Sequence, residues 1–132
     1  NFNTALFNII TESQYTEEFG IVSEKTFNAI VAGQPFAVIG HQQLLEDIKC
    51  LGFVTYDNVF DEEYDLLNNS SRIDALINLH PKLIQSKMTL DDMWSIYDQC
   101  KARIQYNRDY FFEKFGPEQF DLFQKQLLNI WH

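Results

Sequence analysis

The sequence predicts an α/β fold in which a short parallel sheet is followed by an α-helical C-terminal half. Short apolar runs at residues 5–10, 36–40 and 53–56 have the length and composition of buried strands. Segments with helical spacing separate these runs, which favours parallel strands joined by helical crossovers. From residue 71 onward the apolar residues recur with helical spacing only.

The first half is predicted to follow a β-α-β-α-β order. Ser23 is a favoured N-cap residue and Gly33 a favoured helix stop, so a helix of about ten residues should connect the first two strands. A second helix, with Leu44, Leu45, Ile48 and Leu51 on one face, should end at Gly52. The order predicts a Rossmann-like three-layer core with a short parallel sheet of about three strands, whose ligand chemistry gathers at the carboxyl ends of the strands.

The second half is predicted to consist of amphipathic helices. Residues 71–79 have helical period and Pro81 interrupts it. Thr89, with an acidic residue three places later, is predicted to start a helix of about 25 residues. Gly116 and Pro117 should end that helix, and a final amphipathic helix should follow.

Length and composition predict one domain. The chain has 132 residues, of which 45% are hydrophobic, enough for one core shared by a sheet-containing part, 1–65, and a helical part, 66–132. No run reaches the roughly 18 to 20 apolar residues that span a membrane, and no secretory signal is recognisable, so we expect a cytoplasmic protein. The net charge of −9 has the wrong sign for binding nucleic acid.

Cysteines and candidate metal ligands give weak signals. Cys50 and Cys100 lie in helical segments and are expected to be free thiols with a buried, structural role. The histidines lack metal-ligand spacing, so no metal site is expected. Five carboxylates, whose irregular order favours a solvated loop over a Mg²⁺ or Ca²⁺ site, lie close together in sequence: Asp57, Asp61, Glu62, Glu63 and Asp65.

The stretch from residue 22 to residue 40 has the outline of a phosphate-binding element. A capped helix N-terminus offers free backbone N–H groups to an anion, and Lys25 in the first turn adds a positive charge. The Glu24 carboxylate can accept two hydroxyl hydrogen bonds, as a ribose would offer. Periodicity alone, however, favours a plain capped helix with Glu24 and Lys25 in solvent.

The same stretch resembles the donor-binding motif of the α-1,3-fucosyltransferase family. That motif runs approximately Tyr/Phe-Val-Thr-Glu-Lys, hydrophobic residues, Asn-Ala, a small residue, Gly, Pro-Val-Val and then Gly. The residues that match in order are Val22, Ser23, Glu24, Lys25, Asn28, Ala29, Gly33, Pro35, Val38 and Gly40. The resemblance implies a GT-B arrangement of two Rossmann-like halves, in which Glu24 holds the ribose and Lys25 meets the diphosphate of the sugar nucleotide.

Two further segments extend the resemblance. Glu12 and Ser13 lie where the family has Glu-Asn-Ser at the end of a strand, although the Asn is absent and no Arg lies nearby. Residues 51–56 and 60–65 look like runs in uncharacterised glycosyltransferase-like proteins, some of them from phages and marine microbes. The implied nucleotide-binding set is Glu12, Ser23, Glu24, Lys25, Asn28, Gly40 and His41. His41 is included in this set because it follows the end of a predicted strand, where a ligand could meet it. The alternative is a solvent-exposed histidine at the start of a helix.

The resemblance implies the donor-binding half of a glycosyltransferase. Its substrate would be a nucleoside diphosphate sugar, with a GDP-sugar favoured, and the transferred group a hexose or deoxyhexose, with no tightly bound cofactor. An acceptor half would precede residue 1, so we expect the chain to be the C-terminal portion of a longer protein. Because the catalytic base would come from that missing half, no catalytic residue is assigned and we expect the chain to be inactive alone.

A different class of function competes with this interpretation. The chain could be a non-catalytic Rossmann-like module for interaction or oligomerisation, with its C-terminal helices forming a homo-oligomer. An aromatic stripe along those helices is expected to serve as core or subunit interface: Tyr97, Tyr106, Tyr110, Phe111 and Phe112.

Overall fold

The computed structural model describes residues 6–12, 22–76 and 87–131 as a mixed α/β structure that is mostly helical. Its two strands are β1 (Asn8–Thr11) and β2 (Phe36–Ile39). Its α-helices are α1 (Glu24–Ala32), α2 (Leu44–Cys50), α3 (Asn69–Leu76), α4 (Leu90–Tyr110) and α5 (Gly116–Trp131). A 3₁₀ turn (Glu63–Leu66) precedes α3, and a π turn (Phe111–Phe115) joins α4 to α5.

The predicted β-α-β unit is present. Strands β1 and β2 pair in parallel, with Asn8 opposite Phe36 and Thr11 opposite Ile39. Helix α1 begins after Ser23, whose side chain accepts a hydrogen bond from the backbone N–H of Lys25, and ends at Gly33. Gly33 has φ +68°, the left-handed conformation that glycine adopts without a steric cost. Local sequence signals therefore located both ends of α1 correctly.

The predicted third strand, residues 53–56, does not form. The sheet in the described residues has only β1 and β2, and the chain after α2 is bound by side chains of α4 instead. Asn107 accepts a hydrogen bond from the Val54 N–H and donates one to the Val54 carbonyl oxygen, both at 2.9 Å. Because a helix side chain satisfies these backbone groups, the segment needs no neighbouring strand.

The C-terminal helices continue further than the sequence predicts. Thr89 caps α4 and forms a capping box with Asp92, as expected. The predicted stop at Gly116 is wrong, because the backbone stays helical through the π turn, where the Gly116 N–H bonds to the Phe111 carbonyl oxygen. Pro117 lies in the first turn of α5, where proline is tolerated. A Cβ at Gly116 would lie 2.9 Å from that oxygen, so glycine suits the turn.

One hydrophobic core lies between the sheet, α1, α2 and α4. It includes Phe36, Ala37 and Val38 of β2, the inner faces of α1 and α2, and Ile96, Cys100 and Ile104 of α4. An aromatic cluster extends it toward the π turn: the ring centroids of Phe27 and Phe115 are 5.3 Å apart, and those of Phe53 and Phe115 are 5.0 Å apart. The core therefore joins the sheet-containing part to the helical part.

Both cysteines are free, but Cys50 is exposed and only Cys100 is buried, which corrects the expectation of two buried thiols. Burial raises the pKa of the Cys100 thiol to about 11.

Of the predicted helix at residues 71–79, the part after residue 76 and Pro81 lie outside the described residues, as does Ser13. In the described ranges, no helix has the length and apolar character that crossing a membrane requires.

Candidate functional site

The candidate site lies where the two parallel strands end and α1 begins. Pairing of Thr11 with Ile39 places the next residues, Glu12 and Gly40, side by side at the carboxyl edge of the sheet. The backbone N–H of Glu12 bonds to the Ile39 carbonyl oxygen at 2.8 Å, which extends the pairing beyond the strands. This edge is where ligands of open parallel sheets usually bind.

Glu12 is a structural partner of the start of α1. Its Oε1 accepts hydrogen bonds from the backbone N–H of Ser23 at 3.3 Å and from the hydroxyl of Thr26 at 3.1 Å. In a capping box a glutamate in the first turn would accept the N–H of the N-cap residue. Here that position is Thr26, and Glu12 from β1 supplies the carboxylate instead. The N-terminus of α1 is therefore already partly neutralised by a carboxylate of its own chain.

Lys25 brings a positive charge to the same edge. Its Nζ donates a hydrogen bond to the Thr11 carbonyl oxygen at 2.9 Å, while most of the side chain is exposed. Lys25 and Asn28 line a groove of about 270 Å³ along β1, together with Asn8 and residues 9–11. Glu24 is exposed beside Lys25 on the first turn of α1. Among the described residues, the arrangement places Lys25, Asn28 and Glu24 at the end of the strand.

Gly40 is explained by packing. A Cβ on this residue would lie 2.6 Å from the Leu44 side chain and 3.2 Å from the Cβ of Glu12. A larger residue would therefore require the end of the Leu44 side chain to move and Glu12 to shift by a few tenths of an ångström. Gly40 therefore keeps the edge compact, whether or not a ligand also approaches its backbone.

His41 is buried, which corrects the alternative of a histidine in solvent. Its Nε2 lies 2.6 Å from a carboxylate oxygen of Asp47 on α2, and its Nδ1 is buried without a hydrogen-bond partner among the described residues. Asp65 lies nearby and its carboxylate accepts the Leu45 N–H at 3.1 Å, capping α2. Burial raises the pKa of Asp65, although the backbone N–H groups of Leu45 and Glu46 oppose the shift. The hydrogen bond of His41 thus goes to α2 and not to α1.

The structure brings together four members of the predicted set: Glu12, Ser23, Lys25 and Gly40. Glu24 and Asn28 border this group on α1, and His41 belongs to the start of α2. Sequence reasoning missed Thr26, which is fully buried and bonded to Glu12. The sequence contains a usable signal. A capping box has Glu or Gln three residues after the N-cap serine, and this chain has Thr26 there, so the Ser23 N–H needs an acceptor from elsewhere.

The carboxylates between residues 57 and 65 make contacts within the chain. Glu62 accepts hydrogen bonds from the Thr55 hydroxyl and the Tyr56 N–H, and Asp57 pairs with Arg103 at 2.5 Å. Burial raises the pKa of Glu62, and the Thr55 hydrogen bond opposes the shift. Across residues 6–12, 22–76 and 87–131, no group of histidine, cysteine and acidic side chains has the arrangement of a metal site.

No model of a known protein family, no curated protein and no solved structure matches this chain.

Proposed function

We propose that the carboxyl edge of β1 and β2, with the first turn of α1, binds a nucleoside diphosphate sugar. The chain would act as a Rossmann-like donor-binding half of a glycosyltransferase of GT-B type. One observation carries the proposal: the Lys25 ammonium lies 2.9 Å from the Thr11 carbonyl oxygen, at the end of a parallel strand and beside a capped helix start. Helix N-termini that follow a strand bind phosphate groups in many open α/β sheets, and Lys25 adds a positive charge there.

Each residue then has a chemical role. Lys25 meets the diphosphate, and Glu24 accepts hydrogen bonds from ribose hydroxyl groups. Glu12 positions Ser23 and Thr26 and thereby fixes the first turn of α1. Because the Glu12 carboxylate also repels phosphate, most of the attraction must come from Lys25. Asn28 would contact the part of the ligand that enters the groove.

The size of the groove supports a divided site. Its volume of about 270 Å³ is below the roughly 300–1,000 Å³ of pockets that enclose a whole drug-sized ligand. It therefore suits one part of a sugar nucleotide, with the remainder covered by an acceptor half. That second half would also supply the catalytic base, so the proposed activity of this chain alone is binding without transfer of a hexose or deoxyhexose.

A thermal-shift screen of the purified chain against GDP, UDP, ADP and their sugar conjugates tests the proposal. A ligand bound only to the folded state raises the melting temperature by mass action. We expect a selective shift with one nucleoside diphosphate, GDP being favoured. No shift with any nucleotide at millimolar concentration would contradict binding by this chain.

Two variants assign the shift to this edge. Lys25→Ala should weaken nucleotide binding by roughly tenfold to a hundredfold, the usual cost of losing a hydrogen bond to a charged group. Glu12→Gln keeps an oxygen acceptor for the Ser23 N–H but removes the negative charge, so it should strengthen binding several-fold. Lys101→Ala, at an exposed lysine of α4, is the control and should change nothing. Equal losses in the Lys25 and Lys101 variants would place the nucleotide elsewhere.

The exposed apolar side chains of α5 favour a second candidate, an interaction or oligomerisation module. The two candidates are compatible, because α5 and the carboxyl edge of the sheet use different residues.

A further inference from the structure

Helix α5 exposes an apolar stripe that nothing in the described structure covers. Every residue from 117 to 130 is exposed. The stripe consists of Phe120, Phe123, Leu127 and Ile130, whose exposed fractions are 60%, 57%, 39% and 77%. Large apolar side chains clustered at this exposure usually mark a surface that binds another protein.

Helix geometry separates this stripe from the charges of α5. The spacing of three, four and three residues places the four side chains on one face, as in the seam of a coiled coil. The charged residues Glu118, Asp121 and Lys125 lie on the other face. Three of the positions that border the stripe are glutamines, namely Gln119, Gln124 and Gln126. The stripe is therefore framed by neutral side chains, although the chain as a whole carries a net charge of −9.

We propose that the stripe binds the same stripe of a second copy of this chain, forming a helix-pair dimer. In coiled coils the bordering positions choose the partner through their charges. Neutral glutamines give a basic or acidic partner nothing to pair with, but they let two identical acidic chains meet without facing like charges. A symmetric pair also covers the stripe of both copies at once.

The available area fits a reversible dimer. A whole aromatic side chain carries about 150–250 Å², and Phe120 and Phe123 expose 60% and 57% of theirs. Together with Leu127, Ile130 and the bordering glutamines, the face presents on the order of 600 Å² per copy. Two copies would bury about 1,200 Å², which is the lower end of the range for specific interfaces. We therefore expect an equilibrium between monomer and dimer and not a permanent assembly. This inference is independent of nucleotide binding.

Sedimentation equilibrium of the purified chain, over a roughly hundredfold range of concentration, tests the dimer. The matched variants are Leu127→Gln, in the stripe, and Leu122→Gln, on the polar face of the same helix, where the leucine is 52% exposed against 39% for Leu127. Leu127→Gln should raise the dimer dissociation constant by at least about tenfold, because each dimer loses two buried leucines. Leu122→Gln should leave it within about twofold.

Salt provides a second readout. Because both copies are acidic, added salt should screen their repulsion and strengthen the dimer, whereas it would weaken pairing with an oppositely charged partner.

A concentration-dependent dimer that only Leu127→Gln weakens supports the proposal. A monomer at every concentration would overturn it and assign the stripe to another occupant, and equal weakening by both leucine variants would overturn the placement on this face. Circular dichroism of each variant verifies that its helix content is unchanged.

Discussion

At the scale of single residues, several carboxylates of this acidic chain hold backbone ends in place. Glu12 binds the N-cap of α1, Asp65 caps α2, and Glu62 holds the Tyr56 N–H. Each carboxylate is less exposed to water than a surface carboxylate, and it accepts hydrogen bonds from N–H or hydroxyl groups of the chain instead. The acidity of the chain is therefore in part structural, and the pH dependence of stability should report Asp65 and Glu62, whose pKa values are raised by burial.

Glu62 gives a prediction about pH. Its folded-state pKa lies above its ordinary value of 4.5, mainly because burial disfavours the charged form. The folded state therefore binds the proton more tightly than the unfolded state, and stability contributed by Glu62 falls as the pH rises from about 4.5 through the raised pKa. Glu62→Gln keeps an oxygen for the Tyr56 N–H and an amide for Thr55. Urea unfolding should show a shallower loss of stability with rising pH in this variant.

Glu63→Gln is the matched control for that experiment, since Glu63 is the exposed neighbour of Glu62. The slope of its unfolding free energy against pH should stay close to that of the parent chain. A Glu62 variant with the same slope as the Glu63 variant would show that Glu62 does not titrate abnormally.

At the scale of elements, α4 takes the place of a missing strand. Asn107 is fully buried and bonds to both backbone groups of Val54, and hydroxyl groups of Tyr106 and Tyr110 bond to the carbonyl oxygens of Gly52 and Leu51. These contacts fix the chain after α2 against the helix. They also explain Gly52, where a Cβ would lie 2.3 Å from the Tyr110 hydroxyl and φ is +102°.

Asn107→Ala should destabilise the protein by about 2–4 kcal/mol, because two hydrogen bonds are lost and two partly buried backbone groups lose their partner. Chemical denaturation measures the loss. Gln105→Ala, on the exposed face of the same helix, loses only a surface contact with Asp109 and should change stability by less than about 0.5 kcal/mol. An Asn107 variant as stable as the Gln105 variant would disprove the role of Asn107 as a substitute strand partner.

At the scale of the whole molecule, the contacts of α4 and the π turn predict one cooperative unit. Phe27 of α1 stacks on Phe115, and Phe53 packs edge-on against Tyr110, so the sheet-containing part and the helical part share one core. Helix α5 lies outside this core, with its side chains exposed. Stability should therefore be shared by β2 and α4 and be low in α5.

Native-state hydrogen exchange tests this distribution. Amides of β2 and of α4 near Asn107 should open with the same free energy, within about 1 kcal/mol, because they unfold together. Amides of α5 should exchange faster at low protein concentration and slow down as the dimer forms. Opening of α4 well before β2 would instead show two independent units, at 1–65 and 66–132.

The sequence alone determined those features that depend on local signals. Ser23 and Gly33 fixed both ends of α1, Thr89 fixed the start of α4, and the compact apolar run fixed β2. The sequence also placed Lys25 at the helix start, although its role toward nucleotides stays a prediction. Caps, turns and apolar period act over a few residues, so they can be recognised without knowing what packs nearby.

The tertiary structure decided which distant groups satisfy each other. Residues 53–56 have the composition of a strand, but whether they pair with a strand or with Asn107, more than 50 positions away, depends on how α4 packs. Likewise Glu12 looked like a ligand-binding carboxylate, and only the folded chain shows it closing the cap of α1. In every fold, nearly all buried backbone N–H groups donate a hydrogen bond. Local sequence does not specify the acceptor, because the acceptor depends on which distant segments pack together.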